Sequence, residues 1–174
     1  MRFKTFLRSS LALVAVAAAF ACADNAAPTA PHVTSAPSLA FSKATDGKKP
    51  KVAVCKLQKE EWKTTQIGSK GGEVKVGTVV LSVPAGALAS NVAITAHVLP
   101  TTSASVQFLP EGLHFAVPAT LRLEYTKCAT PIFGVSVVYV QRDSVTEVEP
   151  SNNHPLLKFV TARISHFSSY AVAY

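Results

Sequence analysis

The sequence predicts an all-β domain, an antiparallel β-sandwich of about eight or nine short strands, preceded by a signal peptide and a disordered linker. Three observations predict it. From Val52 onward apolar and polar residues alternate with a period of two, the spacing that places every second side chain on one face of a sheet. Pro, Gly, Asn and Ser punctuate these runs at short intervals. No run carries the i, i+3, i+4 spacing of an amphipathic helix.

The chain of 174 residues divides into three parts. Residues 1–21 read as a signal peptide. Arg2, Lys4 and Arg8 form a positive head, and the apolar stretch Leu11–Ala21 follows. At about eleven residues that stretch is too short for a bilayer core, which takes about 20. Ala19-Phe20-Ala21-Cys22 resembles a bacterial lipobox, in which the cysteine thiol is acylated before the leader is cut away. It departs from the pattern in Ala19 and in the bulky Phe20. The competing reading is an A-x-A site for ordinary signal peptidase, leaving Cys22 a free thiol. Position favours the lipid, because Cys22 ends the apolar stretch and an unstructured segment follows it. A lipid there holds a globular domain at a membrane surface without spanning it.

Residues 22–51 read as the disordered linker. Pro28, Pro31, Pro37 and Pro50 interrupt it and no hydrophobic periodicity survives. A coil of about 29 residues reaches roughly 30 Å end to end. The lysines at its far end read as solvated, with contact to anionic headgroups as the lesser reading.

Residues 52–174 read as the sandwich. Val74 and Val76 alternate with Glu73 and Lys75; Val79, Leu81 and Val83 follow and stop at Pro84-Ala85-Gly86-Ala87. Val92, Ile94, Ala96 and Val98 make one face of the next strand, and Leu121, Leu123 and Tyr125 one face of another. Val135, Val137 and Tyr139 come next, then Val145 and Val148 before an expected turn at Pro150-Ser151-Asn152-Asn153. Val160, Ala162 and Ile164 alternate with Thr161 and Arg163, and the chain closes on Tyr170, Val172 and Tyr174. One-sided alternation implies one packed face and one wet face per strand.

Charge excludes a nucleic-acid partner. The net +7 is made of +3 in residues 1–21 and +4 in residues 22–75, where nine lysines face five acids. Residues 76–174 are neutral, whereas a nucleic-acid binder carries its basic face on the fold. With Cys22 assigned to lipid, Cys55 and Cys128 remain, and in an oxidising compartment a disulfide is expected. A metal site lacks any C-x-x-C or H-x-x-x-H spacing, and no cofactor is expected.

Two motifs carry a family likeness. Ile67-Gly68-Ser69-Lys70-Gly71-Gly72-Glu73-Val74 followed by Leu81-Ser82-Val83-Pro84-Ala85-Gly86-Ala87-Leu88 resembles the ZU-five domain, named for zonula occludens and Unc-five proteins. Leu109-Pro110-Glu111-Gly112-Leu113-His114-Phe115, Pro118–Leu123 and His166-Phe167-Ser168-Ser169-Tyr170 resemble its bacterial lipoprotein relatives. The likeness covers about residues 67–174. It implies a sandwich used for protein–protein contact, and it implies turn roles for Gly86, Gly112 and Pro84. In some relatives, and in a self-cleaving nucleoporin, a His-Phe-Ser triplet marks autoproteolysis. By that analogy Ser168 attacks the Phe167 carbonyl with His166 as general base, giving an ester that water opens. The plainer expectation places Phe167 in the core and His166 and Ser168 on the last strand.

Other chemical signals are poor. Gly68-Ser69-Lys70-Gly71-Gly72 precedes a strand and not a helix, so it reads as a hairpin lead-in instead of a phosphate cradle. Glu111, Glu124, Glu147 and Glu149 are scattered; His97, His114 and His154 read as surface histidines. Trp62 reads as an edge packing residue. The expectation is an exported, lipid-anchored envelope protein that binds a protein partner without catalysis. The alternatives are self-processing at Phe167–Ser168 and a secreted adhesive or carbohydrate-binding sandwich, which calls for more exposed aromatics than one Trp supplies.

Overall fold

The computed structural model describes residues 49–174, so Cys22, the expected signal peptide and nearly all of the linker lie outside the described residues. Thirteen strands form, in chain order β1 (Val54–Cys55), β2 (Glu61–Ile67), β3 (Gly72–Val76), β4 (Val79–Val83), β5 (Val92–Val98), β6 (Ser105–Leu109) and β7 (His114–Glu124). There follow β8 (Cys128–Ala129), β9 (Ser136–Gln141), β10 (Ser144–Val148), β11 (Ser151–His154), β12 (Phe159–His166) and β13 (Ser169–Ala173). The described residues contain no helix. All pairings are antiparallel. A six-stranded sheet runs β10-β9-β13-β6-β5-β2, a five-stranded sheet β11-β12-β7-β4-β3, and β1 pairs with β8 as a two-stranded ribbon. The fold is all-β, as alternation predicted.

The alternating residues make the core. Val74, Leu81, Leu121, Leu123, Val160 and Ile164 of the five-stranded sheet pack in one cluster with Ile94, Ala96, Val106, Phe108, Val137 and Tyr170 of the other. Burying these faces supplies the main driving force, at about 25 cal/mol per Å² of apolar surface. Five places depart from expectation. The strand count is thirteen, because β2, β10 and β11 are polar edge strands and β1 and β8 are two residues long. Ser151-Asn152-Asn153 forms β11, paired with Ala162, Thr161 and Val160, where a turn was expected. β13 is buried on both faces: Ala171 and Ala173 join Val138 in a second, smaller cluster on the outer side of the six-stranded sheet. Tyr174 is exposed. Lys51, expected in the linker, exchanges both backbone hydrogen bonds with Tyr174, at 2.8 and 3.0 Å, so the ordered fold already includes it.

The registers sort the molecule into two poles. At one, the chain changes sheet at the Gly68–Gly71 turn, at Pro84–Ala87, at Pro110–Leu113 and at Phe167–Ser168. The family-like segments around Gly68–Gly72, Pro84–Ala87, Leu109–Phe115 and His166–Tyr170 therefore gather there, while Pro118–Leu123 runs along β7 away from it. The gathered segments interlock: the Gly86 N–H donates to the Ser69 carbonyl at 2.8 Å, and Ala116 N–H to the Ala87 carbonyl at 3.0 Å. Gly71 sits at φ +74°, and a Cβ there would collide with the Val83 carbonyl oxygen, so only glycine fits. The opposite pole collects the β1–β8 ribbon, the Gly77–Thr78 turn, the loops 125–128, 130–135 and 155–158, and the Lys51–Tyr174 pairing.

Candidate functional site

The His166-Phe167-Ser168 triplet is the corner at which the chain leaves β12 for β13. Phe167 is buried; Phe108 stacks on it with centroids 5.5 Å apart and Phe115 meets it edge-on at 4.9 Å. Much of the corner's backbone is engaged. Phe167 N–H donates to the Leu113 carbonyl at 2.8 Å, and its own carbonyl accepts from Gly112 N–H at 3.1 Å. The Ser168 carbonyl accepts from Phe108 N–H at 3.0 Å, and the Tyr170 hydroxyl donates to the His166 carbonyl at 2.6 Å. The described non-glycine residues at positive φ are Arg142, Asp143 and Lys158, none of them in this corner. Among the described residues no hydrogen bond joins the His166 ring to the Ser168 hydroxyl. The ring lies instead among Tyr139, His114 and Tyr170, at centroid distances of 5.2, 5.8 and 6.1 Å. His166 and Ser168 are half-buried beside a shallow polar cleft lined by Gln107, Glu111 and Arg142. The corner thus places Phe167 in the core. The carbonyl of the peptide that would be cut accepts a hydrogen bond from the Gly112–Leu113 turn.

Cys55 and Cys128 face each other in the β1–β8 ribbon and are joined by a disulfide across 73 residues. The bond ties the lead-in to the end of β7. Tyr125, buried two residues past the core-facing Leu123, donates its hydroxyl to Asn153 Oδ1. Burial raises its pKa, and the hydrogen bond to Asn153 opposes that rise.

The outer face of the six-stranded sheet carries the feature that sequence reasoning placed wrongly. Trp62 does not pack at an edge: it points outward from β2 and is 68% exposed. It stands opposite His97 of β5, its ring edge-on at 6.0 Å. His97 Nε2 meets Glu60 Oε1 at 3.0 Å, and the hydroxyls of Thr64 and Thr95 bond across the same strand pair at 2.7 Å. Further along this end Thr101, Ser103 and Ser105 link hydroxyls at 2.9 to 3.3 Å. The result is a polar sheet face around one large ring. β2 is an edge strand, and its core-side positions include Glu61 and Lys63, charges that guard a free edge against addition of another strand. The signal for Trp62 was available, since it falls between Glu61 and Lys63 without apolar partners two residues away, but the burial tendency of tryptophan masked it.

Glu149 is the buried charged side chain among the described residues. Sequence reasoning counted it among four scattered carboxylates with no pairing for acid–base work. It occupies the crossing from β10 to β11, where its N–H donates to the Val137 carbonyl at 2.9 Å. Burial, and secondarily the charge of Glu147, pushes its carboxyl up to about 7. Tyr170 is raised as well, by burial first and then by Glu149, Tyr139 and Glu147. The folded state therefore favours protonated Glu149. Its contribution to stability is complete below the unfolded carboxyl range and is lost as pH rises through about 7. The melting temperature is expected to fall between about pH 5 and pH 8, and Glu149→Gln to flatten that slope. A wild-type profile as flat as that of Glu149→Gln would contradict the assignment.

Among the described residues no cluster of three or more His, Cys, Asp or Glu side chains is placed to hold a metal, and no helix is long and apolar enough to cross a membrane. No family model matches the chain, and no curated protein matches it either.

Proposed function

We propose that the chain is a non-enzymatic, lipid-tethered module of the bacterial cell envelope that works by surface contact with a protein partner. The observation that carries the reading is Trp62, exposed on a polar sheet face amid His97, Glu60, Thr64 and Thr95. Exposed aromatics of this kind, ringed by groups able to hydrogen-bond, dominate binding hot spots. The disulfide supports an oxidising compartment. The lipobox-like Ala19–Cys22 supports anchoring through Cys22, and the ZU-five-like motifs support a contact role.

Trp62→Ala is expected to weaken capture of the partner from envelope extracts by about tenfold or more. Stability should stay within about 0.5 kcal/mol, because the ring buries little. Unchanged capture would remove this face from the account. The same ring could stack on a sugar, so a glycan array with wild type and Trp62→Ala separates protein contact from a carbohydrate-binding sandwich. Anchoring is read independently by palmitate labelling of the wild type against Cys22→Ser. The hydrogen-bonded corner at Phe167 supports binding over self-processing, and one uncut species by intact mass is expected. A break between Phe167 and Ser168 would replace binding by self-cleavage.

A further inference from the structure

The pole opposite the motifs carries an unusual concentration of exposed apolar side chains. Ile132 and Phe133 stand 61% and 79% exposed on the loop before β9, and Leu156 and Leu157 stand 97% and 67% exposed on the turn before β12. The two loops are fastened together. Asn153 Nδ2 donates to the Ile132 carbonyl at 2.9 Å, its Oδ1 accepts the Tyr125 hydroxyl, and Leu157 N–H closes its turn on the His154 carbonyl at 3.1 Å. These side chains protrude from loop tips and do not line the cleft found at this pole, so a partner would have to close around them.

Charge at this pole is biased. Lys49, Lys51, Lys56, Lys59, Lys127 and Lys158 lie at the chain's entry to the domain or in the adjoining loops. They face Glu60, Glu61 and Glu124, of which Glu60 is engaged by His97 at 3.0 Å. The ribbon joins the two lysine groups directly, since Lys56 N–H donates to the Lys127 carbonyl at 2.9 Å. The chain also enters the domain here, through Lys51.

We infer that this pole docks on a membrane surface, with Ile132, Phe133, Leu156 and Leu157 entering the acyl boundary and the lysines meeting anionic headgroups. A fluid acyl layer accommodates protruding side chains without a complementary pocket, and short apolar tips at a lysine-rich pole gain from burial and from headgroup charge together. The inference rests on the proposed envelope location.

The test uses the full chain with Cys22→Ser, which removes acylation, in flotation with vesicles of phosphatidylethanolamine and phosphatidylglycerol. Its partner is the same chain carrying Ile132→Ser, Phe133→Ser, Leu156→Ser and Leu157→Ser; any contribution of the leader is common to both. The serine variant is expected to lose vesicle binding by about tenfold or more, and the parent to bind phosphatidylcholine vesicles more weakly than anionic ones. Equal flotation of parent and serine variant overturns the inference. A second variant, Phe133→Trp in a Trp62→Phe background, should shift its emission to the blue and be quenched by brominated lipid; unshifted emission overturns it too, and needs no comparison of stabilities. Capture of an envelope protein that depends on the four tips, without vesicle binding, would replace the lipid surface by a protein partner. Palmitate labelling at Cys22 is read separately, so loss of the anchor and loss of the tip are distinguishable.

Discussion

Loss of the Cys55–Cys128 bond is expected to lower stability by about 4 kcal/mol in the chain-entropy model, because the bond closes a loop of 73 residues. The strands that carry it are short, although Cys55 itself is buried in the core. β1 and β8 are two residues each, and the segment between β1 and β2 is held by a few backbone bonds, among them Gln58 N–H to the Thr101 carbonyl at 2.9 Å. The bond therefore acts mainly on the unfolded chain, which without it is free to expand. For a domain of this size the loss corresponds to a drop of about 15 °C in melting temperature. Calorimetry of the oxidised protein against Cys55→Ala/Cys128→Ala measures it. A drop of only a degree or two would mean that the unfolded chain is already compact or that the closed ribbon is strained.

Phe167→Ala is expected to cost about 4 kcal/mol, the range for emptying a buried aromatic site that its surroundings cannot close. Phe167 is wedged between Phe108 and Phe115, and its peptide is bonded on both sides to the Gly112–Leu113 turn. Loss of the ring leaves a cavity where the chain crosses from β12 to β13. Ser168→Ala, in contrast, removes a half-buried hydroxyl and should cost about 0.5 kcal/mol or less. Urea denaturation of the two variants separates the roles. If Ser168→Ala proved the more damaging, the triplet would matter for its hydroxyl and the core account of it would fail.

Legibility followed the strength of the local signal. Leu121, Leu123 and Tyr125 are all buried as their alternation requires, and so are Val160, Ala162 and Ile164. The positive φ of Gly86 and Gly112, +78° and +75°, was legible for the same reason: each glycine stands where a turn must reverse the chain. β11 was not legible. Asn152 and Asn153 are residues that favour turns, and only β12 alongside, offering Thr161 and Val160, draws them into a strand. Burial of Ala171 and Ala173 on the outer face was equally hidden, because β13 has β6 and β9 on either side and a second cluster above it. Edge position did the reverse for Trp62, leaving a residue type that usually packs standing in solvent.

The sequence by itself determined the fold class and the core-facing side of the strands whose alternation is regular, Leu121–Tyr125 and Val160–Ile164 among them. Each of these depends on contacts that any packed arrangement of alternating strands must make. Only the tertiary structure decided which residues share a pole. It gathered the glycine and proline motifs and Phe167 at one end, and Phe133, Leu156 and the lysines at the other. It also buried Glu149, where a carboxyl shut away from water takes up a proton near pH 7. Strand order and register set these neighbours, and both arise from pairing between segments far apart in the chain, which no local rhythm of residues encodes.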